Sequence, residues 1–87
     1  MANSGKANIE VIKRMVGDIR FFADAVRREG KKMAAEAHGL RNEWNDPQYD
    51  KYERYISELT DDLIAGTSEL DYCANELEKR WKELIDG

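Results

Sequence analysis

Hydrophobic residues recur every three or four positions through both halves of this chain, which is the spacing of one face of an α-helix. The stripe in the first half is Ile12, Met15, Ile19, Phe22, Val26, Gly30, Met33, Ala37 and Leu40. The stripe in the second half is Tyr49, Tyr52, Ile56, Leu59, Leu63, Thr67, Leu70, Ala74, Leu77 and Trp81. The two stripes mirror each other about residues 44–47, so that Val26, for example, is expected to face Leu63. The pattern predicts an all-α, antiparallel two-helix hairpin in which large residues face small ones.

The hairpin is predicted to be a single domain over residues 1–87, with helix 1 at about 8–42, a turn at about 43–46 and helix 2 at about 47–85. Asp46 followed by Pro47 is a strong signal for the start of helix 2, because Asp suits the N-cap and Pro suits the first helical position. Gly30 opposite Leu59 predicts a point where the two helices approach closely.

A two-helix hairpin leaves the outer part of each stripe exposed, and further apolar residues lie off the stripes. These are Val11, Val16, Phe21, Ala34, Tyr55, Ile64, Tyr72 and Ile85. Two hairpins that bury such residues against each other make a four-helix bundle, which is a stable arrangement for helices of this kind. We therefore expect a helical partner, in a homodimer or in a heterodimer with another hairpin, rather than a monomer.

The net charge of −4 conceals an asymmetry between the halves. Residues 1–43 contain 9 Lys and Arg against 6 Asp and Glu, whereas residues 44–87 contain 5 against 12. The mirror places the basic residues of helix 1 opposite acidic residues of helix 2: Arg27, Arg28, Lys31 and Lys32 opposite Glu58, Asp61 and Asp62, and Lys13 and Arg14 opposite Glu76. Since the basic helix has counter-charges in its own hairpin, we expect no nucleic-acid binding.

The sequence offers no catalytic, cofactor-binding or metal-binding constellation, and we expect a protein that is not an enzyme and carries no cofactor. His38 is the one histidine and reads as a surface residue, and Cys73 is the one cysteine, so no internal disulfide is possible. There is no Gly-rich phosphate loop and no Ser/His/Asp set. No apolar run reaches transmembrane length, and Met1–Lys6 leads into helix 1 without the apolar region of a signal peptide.

The residues around the turn carry a resemblance to a known family. Trp44 lies four residues after Leu40, Asp46 follows it by two and Tyr52 by eight. This pattern, with the size of the chain and its two long helices, closely resembles the Trp-x-Gly helical-hairpin superfamily of small type VII secretion substrates. The departure is Asp46, followed by Pro47, where the family has glycine. Trp44 is expected to close the end of the hairpin and to present an edge for recognition.

The resemblance implies a bacterial type VII-like secretion pathway. The protein is then either exported itself or a targeting partner and chaperone of a larger effector, with an export ATPase or a large toxin as further partners. It would be secreted without a cleaved signal peptide, or cytoplasmic before export. The family's export signal is a Tyr followed four residues later by Asp or Glu, which Tyr72 and Glu76 match near the end of helix 2. Tyr49 and Glu53 match it too. The alternative is a cytoplasmic coiled-coil adaptor or a regulatory or structural module, for example phage-related, with no role in secretion.

Overall fold

A computed structural model shows an all-α hairpin of two long helices packed against each other, which confirms the predicted fold class. The structure describes residues 5–44 and 46–86, with side chains from residue 9 onwards. Helix α1 is Gly5–Gly39, and a 3₁₀ turn at Leu40–Asn42 continues it. Helix α2 is Pro47–Asp86. The described residues contain no strand.

Hydrogen bonds close the turn from both sides. The Trp44 backbone N–H donates to the Leu40 carbonyl oxygen at 2.8 Å, which satisfies an acceptor at the end of α1. On the other side, Asp46 Oδ1 accepts the backbone N–H of Gln48 at 2.9 Å. Because Pro47 is the first residue of α2, Asp46 is its N-cap, as the sequence predicts. Asn45, between the two, lies outside the described residues.

The chain divides into two compact units. The end unit comprises Met1–Ala23 and Ser68–Gly87, and the turn unit comprises Asp24–Thr67. Each unit contains a part of both helices, so each has its own interhelical contact line, which we call its seam. No helix in the described part of the chain is both long and apolar enough to cross a membrane.

The buried positions of each unit are mostly small residues. In the end unit Val16, Ala23 and Ala74 are buried, and in the turn unit Ala37, Thr60 and Thr67 are, together with one large residue, Tyr49. Residues 16, 23 and 37 and residues 60, 67 and 74 are spaced by seven or its multiple, which is the repeat of a left-handed coiled-coil seam. The hydroxyls of Thr60 and Thr67 donate to carbonyl oxygens of their own helix at 2.6 Å, so both are satisfied inside the seam.

The predicted stripes are therefore displaced from the true seam by one position at several levels. Met15, Phe22, Met33, Leu40, Tyr52, Leu59 and Leu63 were expected to be in the core and are exposed. Val16 and Ile64, expected on a second apolar face, are buried and half-buried instead. The physical reason is that helices with small residues at the contact approach closely, and the bulky residues then flank the contact rather than fill it.

Gly30 shows this packing directly. A close approach was expected there, with Leu59 as the opposing residue. The opposing residues are instead Thr60 and Ile64: a β-carbon at position 30 would lie 3.1 Å from Thr60 Cγ2 and 3.3 Å from Ile64 Cδ1. The close approach is confirmed and the expected partner is wrong. Val26 and Leu63, which the mirror pairs, do line the same hollow beside Gly30.

The ion pairs that join the helices also differ from the predicted set. In the end unit Arg20 Nη2 lies 2.7 Å from Glu78 Oε1, and in the turn unit Arg41 pairs with Glu53. Arg28 pairs with its neighbour Glu29 rather than with a residue of α2. Lys13 lies 3.9 Å from Glu10 and its ammonium stands over the Trp81 ring at 5.0 Å, so its recorded contacts are also not the expected one with Glu76.

Candidate interaction surfaces

An aromatic cluster forms at the turn, where the family resemblance lies. The Trp44 ring meets the Tyr49 ring edge-on, with centroids 5.6 Å apart, and stacks on the Tyr52 ring at 6.2 Å with an interplanar angle of 22°. Tyr49 is only 3% exposed, whereas Trp44 is 41% exposed. The indole thus covers the buried tyrosine with one side and leaves the other side accessible. The position of Trp44 in the sequence predicts both features, a ring that covers the end of the hairpin and an edge that stays exposed.

Asp46 connects the cluster to the start of α2. One carboxylate oxygen caps the helix, and the other accepts the indole N–H of Trp44 at 3.4 Å. A negative charge at this end of α2 also suits the helix dipole. The Asp46 side chain therefore accepts two hydrogen bonds that a glycine could not accept. Pro47 fits at the next position without strain because it is the first residue of α2.

A charged cluster lies beside the aromatic one, and the sequence analysis missed it. Arg41 contacts both Glu53 and Asp50, and its guanidinium stands 5.7 Å from the Tyr49 ring centroid. His38 Nδ1 lies 3.0 Å from Glu53 Oε2. Glu53 is half-buried and lies seven residues before Thr60, so a seven-residue reading of α2 would have placed it on the seam.

Three groups at this place have shifted pKa values, and the hydrogen bond with Glu53 raises the pKa of Arg41 above its ordinary value. Hydrogen bonds from Arg41 first and from His38 second lower the pKa of Glu53, because they favour the carboxylate. Burial raises the pKa of Tyr49, because the phenolate would lose its hydration. The Tyr49 hydroxyl is buried and has no hydrogen-bond partner among the described residues. These surroundings therefore favour the charged form of Glu53 and the neutral form of Tyr49.

The turn unit carries an exposed apolar flank, which we define as Val26, Met33, Leu40, Tyr52, Leu59 and Leu63. Val26, Met33 and Leu63 line one open hollow together with Gly30. The other three residues are spaced from these by whole helical turns: Leu40 is seven residues after Met33, Leu59 is four before Leu63, and Tyr52 is seven before Leu59. Residues with these spacings lie on the same side of a helix, so the flank extends along both helices. Apart from half-buried Val26 these side chains are exposed, Leu59 and Leu63 by 60%. Glu29, Lys32 and Glu36 also line that hollow, and exposed apolar side chains bordered by charged ones are typical of a protein-binding surface.

The two candidate export signals lie in different surroundings. Tyr72 is 66% exposed, and Glu76, one helical turn later on the same side, is exposed and lies near Lys79. Tyr49 is buried and Glu53 is held by Arg41. Tyr72 and Glu76 are therefore accessible to another protein, and they lie within α2 rather than beyond its end. Tyr49 and Glu53 make contacts within the hairpin instead.

The remaining candidates for chemistry are not assembled into a site. His38 and Cys73 are both exposed, and His38 has Glu53 as its neighbour. Among the described residues no three His, Cys, Asp or Glu side chains lie close enough to hold a metal ion. Comparison of the chain with protein-family models, with curated proteins and with solved structures gives no match.

Proposed function

We propose that this chain is a small helical-hairpin binding protein of a bacterial type VII-like secretion pathway, exported itself or escorting a larger effector. The observation that supports the proposal is the arrangement of the turn. The Trp44 ring stacks on the Tyr52 ring, and the indole N–H donates a hydrogen bond to the Asp46 carboxylate. The residues on which the family resemblance rests thus lie together at the turn, where Trp44 contacts the other two. A second support is the accessibility of Tyr72 and Glu76.

The proposal includes a partner hairpin on the apolar flank. The seam of small residues leaves Met33, Leu59 and Leu63 largely outside the core of the single chain. Pairing two such flanks in a four-helix bundle removes this apolar surface from water, and each square ångström buried contributes about 25 cal/mol. The partner is a second copy of the chain or a similar hairpin.

Fractionation of the native host, with and without its export ATPase, tests the secretion role. We expect the protein outside the cell only when the ATPase is present. Tyr72→Ala should reduce export, while Tyr55→Ala is the matched control, because Tyr55 is also exposed but has Leu59, not an acid, four residues later. Retention inside the cell in both strains would refute export and favour the cytoplasmic coiled-coil adaptor.

The role of Trp44 is tested in the same assay. Trp44→Ala removes a large aromatic that is half-exposed, so we expect less than the ~3–5 kcal/mol lost when a buried aromatic is truncated. Trp44→Phe should restore most of that stability, because a ring remains against Tyr49 and Tyr52. If the indole edge is recognised, export stays impaired in the Phe variant. Export of that variant at the parent level would show that Trp44 only closes the core.

Pairing on the apolar flank is tested by sedimentation equilibrium. Leu63→Glu places a charge on the flank and should shift the protein towards the monomer. Ala65→Glu introduces the same charge on the same helix, at an exposed position two residues away that is not on the flank. Equal masses for the two variants, with unchanged helix content by circular dichroism, would refute the flank as the pairing surface.

A further inference from the structure

A hollow of about 340 Å³ lies at the turn, beside the Trp44 ring. The residues that line it are Arg41, Trp44, Asp46, Pro47, Tyr49 and Asp50. Tyr52, on which the Trp44 ring stacks, is not one of them. The hollow therefore borders a part of the indole that Tyr52 does not cover, and Trp44 is 41% exposed.

The charge that faces this hollow is negative and is not balanced within the turn. Of the described residues that line it only Arg41 is a cation, and Arg41 is already paired with Glu53 and with Asp50. Asp46 accepts uncharged N–H donors, one of the backbone and one of the indole, and has no ion pair among the residues that the structure describes. Tyr49 has a buried hydroxyl without a hydrogen-bond partner among those residues, so the wall of the hollow also contains an unsatisfied polar group.

The two tryptophans of the chain differ in the cations at their rings. The ammonium groups of Lys13 and Lys82 lie 5.0 and 5.9 Å from the ring centroid of Trp81. Trp44 has no such cation among the residues that the structure describes. The face of an aromatic ring attracts a cation, and tryptophan attracts it most strongly. Trp44 therefore offers an accessible indole beside a carboxylate that has no cationic partner in its own hairpin.

We propose that this hollow binds an arginine or lysine side chain of a partner protein, with the cation on the Trp44 ring and against the Asp46 carboxylate. Arginine suits the hollow better than lysine, because a planar guanidinium stacks on an aromatic face and donates N–H groups to a carboxylate from the same position. The proposal rests on residues of the turn alone. It does not depend on the secretion role or on pairing through the apolar flank.

The test is an NMR titration of the isotope-labelled full chain with blocked tripeptides that differ only in their central residue, which is arginine, citrulline or glutamate. Citrulline has the shape of arginine without its charge. The arginine peptide should shift the indole N–H resonance of Trp44 in a saturable way and leave that of Trp81 unchanged, because two lysines already lie at that ring. The citrulline and glutamate peptides should leave both resonances unchanged. No shift with the arginine peptide, or an equal shift with either of the others, would overturn the proposal.

Two matched variants separate the charge of Asp46 from its role as a cap. D46N removes the charge and keeps a side-chain oxygen that can cap α2. It should raise the Kd of the arginine peptide roughly two- to fivefold, which is the effect of losing one exposed ion pair. D61N removes the same charge at an exposed position of the turn unit that does not line the hollow, and it should leave the Kd unchanged. If both variants weaken binding equally, net charge rather than Asp46 controls it and the proposal is wrong. Because the readout is binding by the purified chain, the result is independent of whether the protein is exported.

Discussion

Replacing Gly30 by alanine tests the close approach of the two helices in the turn unit. Glycine inside a helix costs roughly 0.5–1 kcal/mol relative to alanine, so Gly→Ala stabilises a helix when there is space for the methyl group. Gly66 provides that case, because a β-carbon there has nothing within 4 Å. At Gly30 the new carbon would meet Thr60 Cγ2 at 3.1 Å and Ile64 Cδ1 at 3.3 Å.

The outcome at Gly30 depends on whether these neighbours can move. The end of the Ile64 side chain can rotate away. Thr60 is 1% exposed, and its hydroxyl is bonded to the Ile56 carbonyl oxygen at 2.6 Å, which holds its methyl group in place. Forcing an extra carbon into a packed seam costs typically about 1–3 kcal/mol. We expect the strain to cancel or exceed the gain in helix propensity, so that G30A is up to about 2 kcal/mol less stable than the parent.

Thermal unfolding at fixed protein concentration measures the effect, because association would otherwise shift the midpoint. In a domain of this size 1 kcal/mol corresponds to a change in Tm of about 4–8 °C. Gly66→Ala should raise Tm, while Gly30→Ala should leave it unchanged or lower it. Thr60→Ser removes the obstructing methyl group and keeps the hydroxyl, so G30A should be better tolerated in that background. Stabilisation by G30A equal to that by G66A would refute the close contact.

Three further predictions concern the turn and the charged pairs. Tyr49→Phe should leave stability unchanged or raise it by about 1 kcal/mol in urea unfolding, because it removes a buried hydroxyl without a partner; a clear loss would contradict this. Asp46→Ala should cost about 0.5–2 kcal/mol by removing the N-cap, and Asp46→Asn should keep most of it. The pKa values of Glu53 and Glu78 lie below the ordinary 4.5, so the stability they contribute is present above that pH and lost as pH falls through the lowered values. Thermal melts in acid should therefore show a smaller loss for E53Q/E78Q than for the parent, and equal losses would contradict the assignment.

The fold class could be predicted from the sequence because it depends on features that are local. Helical periodicity over both halves, with Asp46 and Pro47 between them, specifies two helices and the point of reversal. The reversal leaves few arrangements other than an antiparallel hairpin, since the connection is short. The aromatic cluster was predictable for the same reason: Trp44 and Tyr52 are eight residues apart on either side of the turn.

The seam and its ion pairs could not be predicted in the same way. The stripe correctly included Ala37, Thr67 and Ala74, but it passed through Phe22 and Leu63, although size alone does not decide which side of a helix faces its partner. The stripe missed the buried residues Ala23 and Thr60, which a hydrophobicity pattern ranks low. A displacement by one position turns a helix by about 100°. Such a displacement moves the flanking charges as well, and Arg28, expected opposite an acidic residue of α2, pairs with its neighbour Glu29.

The composition of the seam also accounts for the apolar flank that we propose to bind a partner hairpin. Small residues at the contact bring the backbones together and give little apolar burial per residue, because the area buried scales with side-chain size. The large side chains, Leu63 among them, are then displaced to the flank, where a single chain cannot cover them. The uncovered apolar flank is thus a consequence of the close approach at Gly30. Substitutions that widen the seam should weaken association through the flank, and G30A provides that measurement: its mass in sedimentation equilibrium should be lower than that of the parent.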